Sequence, residues 1–338
     1  FGGEARIARG EVSQGIAAMD EAGVSVVASG LAAWAGGLVY CAVIHSCMAR
    51  ADWHRASQWT NQFTRWCEEH GHSAFPGLCR LHRAEVLCVR GELDRAEEEA
   101  RFALQALARC SRWAEGEAWH VLGDVLLAKG DFSGARDAFN TAHAQGWDPQ
   151  PGLALLEYAE GRPALAERLL KRALEDKAWM NGARRGTLLA YYAIVASALG
   201  DTDAARAALE EVEAHPDLVS SSALRALLLR AQGEFADAEH EHEKAIALFR
   251  AAIRAWEQID ARLPAAQVRC RLADVLAAES DLEGAGRELA TAAKLFHEAG
   301  AHGLVRQCQK LRRAANGEAL GEKLGALAAG SPVRLPEP

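Results

Sequence analysis

Two cysteines and three histidines crowd one short stretch, Cys67-x-x-His70-x-His72 followed by Cys79-x-x-His82. Thiolate and imidazole groups so spaced can surround a zinc ion, which takes sulfur and nitrogen donors in a tetrahedron. A plainer reading competes. Cys67 and Cys79 stand beside Trp66 and Leu78 at helix ends, where cysteine acts as a small apolar residue, and His70 and His72 fall in a glycine-containing connection. Cys41 and His45 are one helical turn apart, as a nucleophile and its base could be, but no orienting group or oxyanion site accompanies them. His240 and His242 sit in the acidic run "EHEHEK", and alternate residues of a helix do not share a face. Arg184-Arg185 and Arg312-Arg313 are basic pairs without interleaved aromatics to stack on bases. Glu97 with Arg101 and Glu167 with Lys171 have the spacing of helix-surface ion pairs. The residues therefore assign no catalytic group, no metal ligand and no cofactor. The competing reading is a stand-alone enzyme or metal-binding helical protein using the Cys and His residues between 41 and 82.

Whatever these groups do, helices must position them. The chain has 338 residues, half of them apolar, and a net charge of -8 from 46 acidic and 38 basic residues. The basic residues are scattered, so there is no electrostatic footprint for a nucleic-acid backbone. The start at Phe1 reads as truncated, and no basic end followed by an apolar stretch marks a signal peptide. Eight cysteines without paired spacing point to free thiols in a reducing cytoplasm. The segment Ala22 to Ala49 has no Asp, Glu, Lys or Arg, yet its glycines, serines and His45 suit a buried helical hairpin better than a membrane span.

A repeat organises the chain. In "AWHVLGDVLLAKGDFSGARDAFNTAHAQGWDP", Trp119, Leu122 and Gly123 lie on one helix face, Gly130-Asp131 ends that helix, and Ala135, Phe139 and Ala142 lie on one face of the next. The same break, with a small residue five positions on, recurs at Gly10/Gly15, Ala51/Ala56, Gly91/Ala96, Gly130/Ala135, Gly161/Ala166, Gly200/Ala205, Gly233/Ala238 and Ser280/Ala285. The intervals are 41, 40, 39, 31, 39, 33 and 47 residues, the range of two-helix solenoid repeats. The 47-residue interval predicts an extended, projecting second helix, because Ala245, Phe249 and Ala252 repeat the pattern two turns after Ala238. An acidic residue follows most breaks, Glu234 among them, as suits a helix start, and Pro163 takes that role after Gly161. All nine prolines avoid helix interiors, with Pro264 expected between hairpins.

Trp119, Leu122, Gly123, Ala135, Phe139 and Ala142 match the tetratricopeptide repeat, and the other units match it more weakly. Longer phrases, "GLVYCAVIHSCMARADWHRASQWTNQFTRWCEEHG", "CRLHRAEVLCVRGELDRAEEEA", "GWDPQPGLALLEYAEG" and "AAKLFHEAGA", resemble the helical-repeat arm of large LuxR-type transcriptional regulators related to the maltose regulator MalT. The resemblance runs from about Gly10 to Ala301. It implies a signalling protein in which an ATPase module precedes the arm and a helix-turn-helix domain follows it. This chain carries neither a G-x-x-x-x-G-K-[ST] phosphate loop nor enough sequence after Ala301 for a DNA-reading domain.

The expected fold is all-α: a right-handed superhelical solenoid of about seven to eight antiparallel hairpins over residues 1–301, capping helices over 302–329 and a flexible tail over 330–338. First helices line the inner groove of such a stack. Counting from each break places Cys41, His45 and Met48 there, then Leu81, Glu85 and Cys88, then Glu117, His120, Asp124 and Leu127. Leu155, Tyr158, Ile194, Leu227, Arg230, Cys270 and Asp274 continue the row. An apolar groove with a few polar groups suits a protein or peptide partner, or a small-molecule effector. No direct nucleic-acid contact and no membrane are expected, and the function expected is non-catalytic interaction and effector sensing in the cytoplasm.

Overall fold

The computed structural model describes residues 2–28, 33–48, 50, 52–70, 77–110, 114–176, 182–219 and 221–313. These residues form antiparallel helix pairs, with no strand among them. The pairs are α1 (Gly2–Ala8) with α2 (Val12–Ala28), α3 (Ala33–Met48) with α4 (Trp53–His70), α5 (Leu78–Arg90) with α6 (Leu93–Cys110), and α7 (Glu115–Lys129) with α8 (Phe132–Ala144). Then come α9 (Gly152–Ala159) with α10 (Pro163–Glu175), α11 (Gly182–Leu199) with α12 (Thr202–Ala214), α13 (Ser222–Ala238) with α14 (His242–Gln258), and α15 (Arg262–Ala278) with α16 (Leu282–Glu298). α17 (His302–Arg313) packs on α16 as a cap. The expected second capping helix and the tail lie outside the described residues. The segment Ala22 to Ala49 is split between the end of α2 and α3, and among the described residues no helix is long and apolar enough to cross a membrane.

One device makes most of the turns. After a helix, a residue adopts positive φ and the next amide reaches back to the carbonyl five residues earlier, satisfying the helix's last acceptors. Gly130 has φ +86°, and Asp131 N–H donates to the Leu126 carbonyl at 2.9 Å. Asp131 then turns its own carboxylate onto the Gly134 amide at 3.0 Å, capping α8, and Asp201 and Asp281 cap α12 and α16 in the same way. Small residues sit where paired helices cross. Ala56, Ala96, Ala135, Ala166, Ala205 and Ala285 are all fully buried, and a Cβ placed on Gly123 would lie 2.5 Å from the Phe139 ring.

The structure corrects the seventh unit. Gly233 is no break: it lies inside α13 against Phe249, as Gly123 lies against Phe139, and Ala238 is only half-buried at that helix's end. The turn falls at His240 (φ +61°), 40 residues after Gly200 and 40 before Ser280. Ala245, five residues after His240, is the fully buried crossing residue, so α14 is an ordinary second helix rather than an extended one. A glycine packed face-on against an aromatic ring and a glycine ending a helix look alike in sequence, and histidine at positive φ gives no signal. Pro264, expected between hairpins, occupies the first turn of α15, where its missing N–H costs nothing.

The stack returns on itself. α5 packs against α15, and α17 against α7. Arg90 Nη2 stands 3.0 Å from Asp260 Oδ2, a Cβ on Gly91 would meet Ala299 at 3.3 Å, and Gly130 and Gly303 face each other closely enough that a Cβ on Gly303 would lie 3.9 Å from the Gly130 backbone.

Candidate functional site on the concave face

First helices are packed on both flanks, so they bury most of their circumference and leave a narrow strip free; second helices bury one stripe. α7 buries Gly116, Ala118, Val121, Leu122, Gly123, Val125 and Leu126, whereas α8 buries Ala135, Ala138, Phe139 and Ala142. What α7 leaves half-exposed includes Glu117, His120, Asp124 and Leu127, spaced at one-turn intervals. Glu85 and Cys88 on α5, Leu155 and Tyr158 on α9, Arg230 on α13, and Cys270 and Asp274 on α15 are likewise half-buried. Met48, Leu81, Ile194 and Leu227 are buried in the hydrophobic core and expose nothing to a groove.

The strip is charged as well as apolar. Burial raises the Tyr158 hydroxyl's pKa, with Glu234, Arg271, Arg230 and Asp274 acting on it, so side chains from α9, α13 and α15 converge there. Tyr191 on α11, also raised by burial, feels Arg230 and Asp124. Arg271 bridges α15 to α13, with Nε 2.9 Å from Glu234 Oε2, Nη2 3.1 Å from Asp237 and Nη1 2.7 Å from Asp274. Asp274 is nevertheless raised, because its burial outweighs that guanidinium. Glu234, read as the residue opening a second helix, is thus a buried residue inside α13, held by Arg271. Tyr191, Glu234, Asp237 and Arg271 escaped the sequence count; a strict 40-residue register through α13 puts Glu234 six residues before its turn, the position Asp124 has before Gly130.

At the other end, His45, His82, Glu85, Glu117, His120 and Asp124 gather from α3, α5 and α7. His45 is exposed, with its ring 5.5 Å from that of buried His82. His82 Nδ1 lies 3.1 Å from Glu85 Oε2, and His120 Nε2 lies 3.4 Å from Asp124 Oδ2. Burial lowers both His45 and His82, favouring neutral rings. It pushes Glu85 up to about 8 and Glu117 to about 7, and it raises Asp124.

The cysteines differ from expectation. Cys41 and Cys79 are joined by a disulfide with Cα atoms 6.0 Å apart, so the chain does not carry free thiols alone. The bond links two helices, and spacing along a sequence carries no signal of it. It removes Cys41 as a nucleophile beside His45, and Cys79 from a thiolate set with Cys67. Among the described residues Cys47, Cys67, Cys88, Cys270 and Cys308 are free; burial lifts the Cys47 thiol to about 12 and raises Cys88 too. Cys270 Sγ rests 3.4 Å from Cys308 Sγ. His72 lies outside the described residues, as does the side chain of His70.

The remaining candidates make ordinary contacts. His240 is a turn residue rather than part of an acidic helix, and His242 Nδ1 pairs with Glu279 Oε1 at 2.5 Å. Arg184 pairs with Asp148, and Arg185 with Glu211 at 2.5 Å. Glu97 and Arg101 meet at 2.7 Å, and Glu167 and Lys171 at 2.6 Å. The side chains of Arg312 and Arg313 are outside the described set.

No family model matches the chain, and no curated protein matches its sequence. Solved structures do resemble it. A Rap protein complexed with competence and sporulation factor shares 12% identity at a TM-score of 0.59, over 86% of this chain and 85% of that one. The Cut9-Hcn1 hetero-tetramer of the APC/C shares 17% identity at a TM-score of 0.56, over 86% of this chain and 55% of that one. At such identities the likeness shows the fold alone: this chain is an all-α, right-handed superhelical solenoid of TPR-like hairpins.

Proposed function

We propose that this chain is a non-catalytic interaction and effector-sensing scaffold whose concave strip receives a peptide or protein segment. The observation that supports this reading is the interaction of Tyr158, Tyr191, Arg230, Glu234, Arg271 and Asp274, drawn from the first helices α9, α11, α13 and α15, with one another. Aromatic bodies with polar tips and fixed ion pairs offer apolar area and directional hydrogen bonds together, which suits an extended or helical segment. Both similar solenoids are described with a partner, competence and sporulation factor in one and Hcn1 in the other, in keeping with this reading.

The test is to select peptides against the chain and measure their affinity by fluorescence anisotropy. Tyr158→Ala and Tyr191→Ala should each weaken binding at least tenfold, as loss of a central anchor does, while Lys171→Ala on a second helix should leave it unchanged. Peptides that bind wild type and both tyrosine variants equally would defeat the proposal. A finer reading takes the chain as the regulatory arm of a LuxR-type transcriptional regulator acting in the cytoplasm. The phrases between Gly10 and Ala301 support it. A phosphate loop encoded upstream and a helix-turn-helix encoded downstream in the same reading frame are the expected finding, and their absence counts against that role.

A further inference from the structure

We propose that His45, His82 and Glu117 form a binding site for one divalent transition-metal ion of the zinc class. Each comes from a different first helix, α3, α5 and α7, and their donor atoms all lie within 4.8 Å of one another. Zinc holds its nitrogen and oxygen donors at about 2.0–2.2 Å, so in a tetrahedron they stand about 3.3 Å apart. Closing the remaining gap takes side-chain adjustment on the order of 1.5 Å or less at each pair. Two imidazoles and a carboxylate suit zinc, cobalt, nickel or iron(II) rather than calcium or magnesium, which prefer all-oxygen shells.

Three further features prepare the site. His82 Nδ1 faces Glu85 Oε2 at 3.1 Å. With that nitrogen donating to the carboxylate, Nε2 keeps its lone pair for the metal, the outer-shell arrangement that fixes the tautomer of metal-bound histidines. The two histidine-bearing helices are also tied covalently, since Cys41 is one turn before His45, Cys79 is three residues before His82, and the two are disulfide-bonded. Finally, among the described residues, the titratable groups acting on these side chains are His82 and Glu4 of α1 on His45, Glu117 on His82, His82 and Glu85 on Glu117, and His120 and Asp124 on Glu85. None of them is a lysine or arginine, so among the described residues partly buried carboxylates meet there without a fixed cation, and a metal supplies it. Three protein ligands leave a position open to water or to a group of whatever fills the groove. The inference does not depend on the identity of that occupant.

The experiment is a titration of untagged, metal-stripped chain with cobalt(II), followed by visible absorption, then displacement by zinc. One equivalent should bind with the ligand-field bands of nitrogen and oxygen ligation. His45→Ala, at an exposed position, and Glu117→Gln, which keeps the side chain's shape, should each weaken binding at least tenfold with unchanged circular dichroism. Glu85→Gln should weaken it about 10- to 100-fold, the cost of losing an outer-shell partner. His240→Ala with His242→Ala should change nothing. Absence of stoichiometric binding, a thiolate-to-cobalt charge-transfer band, or binding that survives His45→Ala and Glu117→Gln overturns the proposal.

Discussion

At the residue scale, Phe139 and Glu157 show how a buried ring and a buried carboxylate hold neighbouring helices together. Phe139 is fully buried between Gly123 and Gly152, whose missing side chains make room for its ring. Phe139→Ala should cost about 3–5 kcal/mol in urea unfolding, whereas Phe102→Ala, at an exposed ring stacked under Arg80, should cost under about 1 kcal/mol. Glu157 is buried on α9, with Arg136 and Arg162 each 2.5 Å away. Burial alone would raise its pKa, but the two guanidiniums overrule it and hold the carboxylate below its usual range. A depressed folded-state pKa means that the stabilisation is complete above the unfolded value and is lost as pH falls through the folded one. Urea unfolding free energies should therefore separate wild type from Glu157→Gln at pH 7 by about 1–3 kcal/mol, and the gap should close as the pH falls below the unfolded carboxylate value of about 4.3. An undiminished gap at low pH would show that Glu157 acts by packing instead.

At the element scale, helix ends decide the register. Positive φ strains a residue with a Cβ by about 1–2 kcal/mol, and glycine escapes the strain. Ser280 takes φ +65°, so Ser280→Gly should raise stability by about 1 kcal/mol. Gly200 takes φ +77° with open space around it, so Gly200→Ala should lower stability by a similar amount, about 1 kcal/mol, without any clash. Equilibrium denaturation reads both, and a fall for Ser280→Gly would contradict the turn geometry. These ends also mark how far the sequence could be read. Glycine followed by an acidic residue located the turns at Gly10, Gly91, Gly130 and Gly200, because the chemistry of stopping one helix and capping the next is local. The turns at His240 and Asp260 were invisible, since the same backbone hydrogen bonds close them on residues that carry a side chain and so give no glycine signal.

At the scale of the molecule, the legible part was the hairpin and the illegible part was the curvature. Each hairpin is specified by contacts among residues close in sequence, but the superhelix accumulates a small rotation per unit. The meeting of α5 with α15 and of α7 with α17 therefore has no local signature, and neither has the gathering of His45, His82 and Glu117. Among the residues counted for the groove, Glu85, His120, Asp124 and Tyr158 are half-buried. Leu81 and Ile194, which stand as far from their turns as His120 and Asp124 do, are buried in the core with Met48 and Leu227, because apolar side chains at those positions gain by leaving water. If the closing contacts hold the curvature, Arg90→Glu, which sets like charges against Asp260, combined with Gly303→Trp, which wedges apart Gly130 and α17, should enlarge the radius of gyration in solution scattering while helix content stays constant. An unchanged radius would show that packing within the hairpins alone sets the shape.

The concave surface as the place of binding is tested most directly by hydroxyl-radical footprinting of the chain with and without a selected peptide. Protection of Tyr158 and Tyr191, with Phe102 on the second helix α6 unchanged, is the expected result. Protection of Phe102 while both tyrosines stay reactive would place the partner on the outer face and contradict the function proposed for the solenoid.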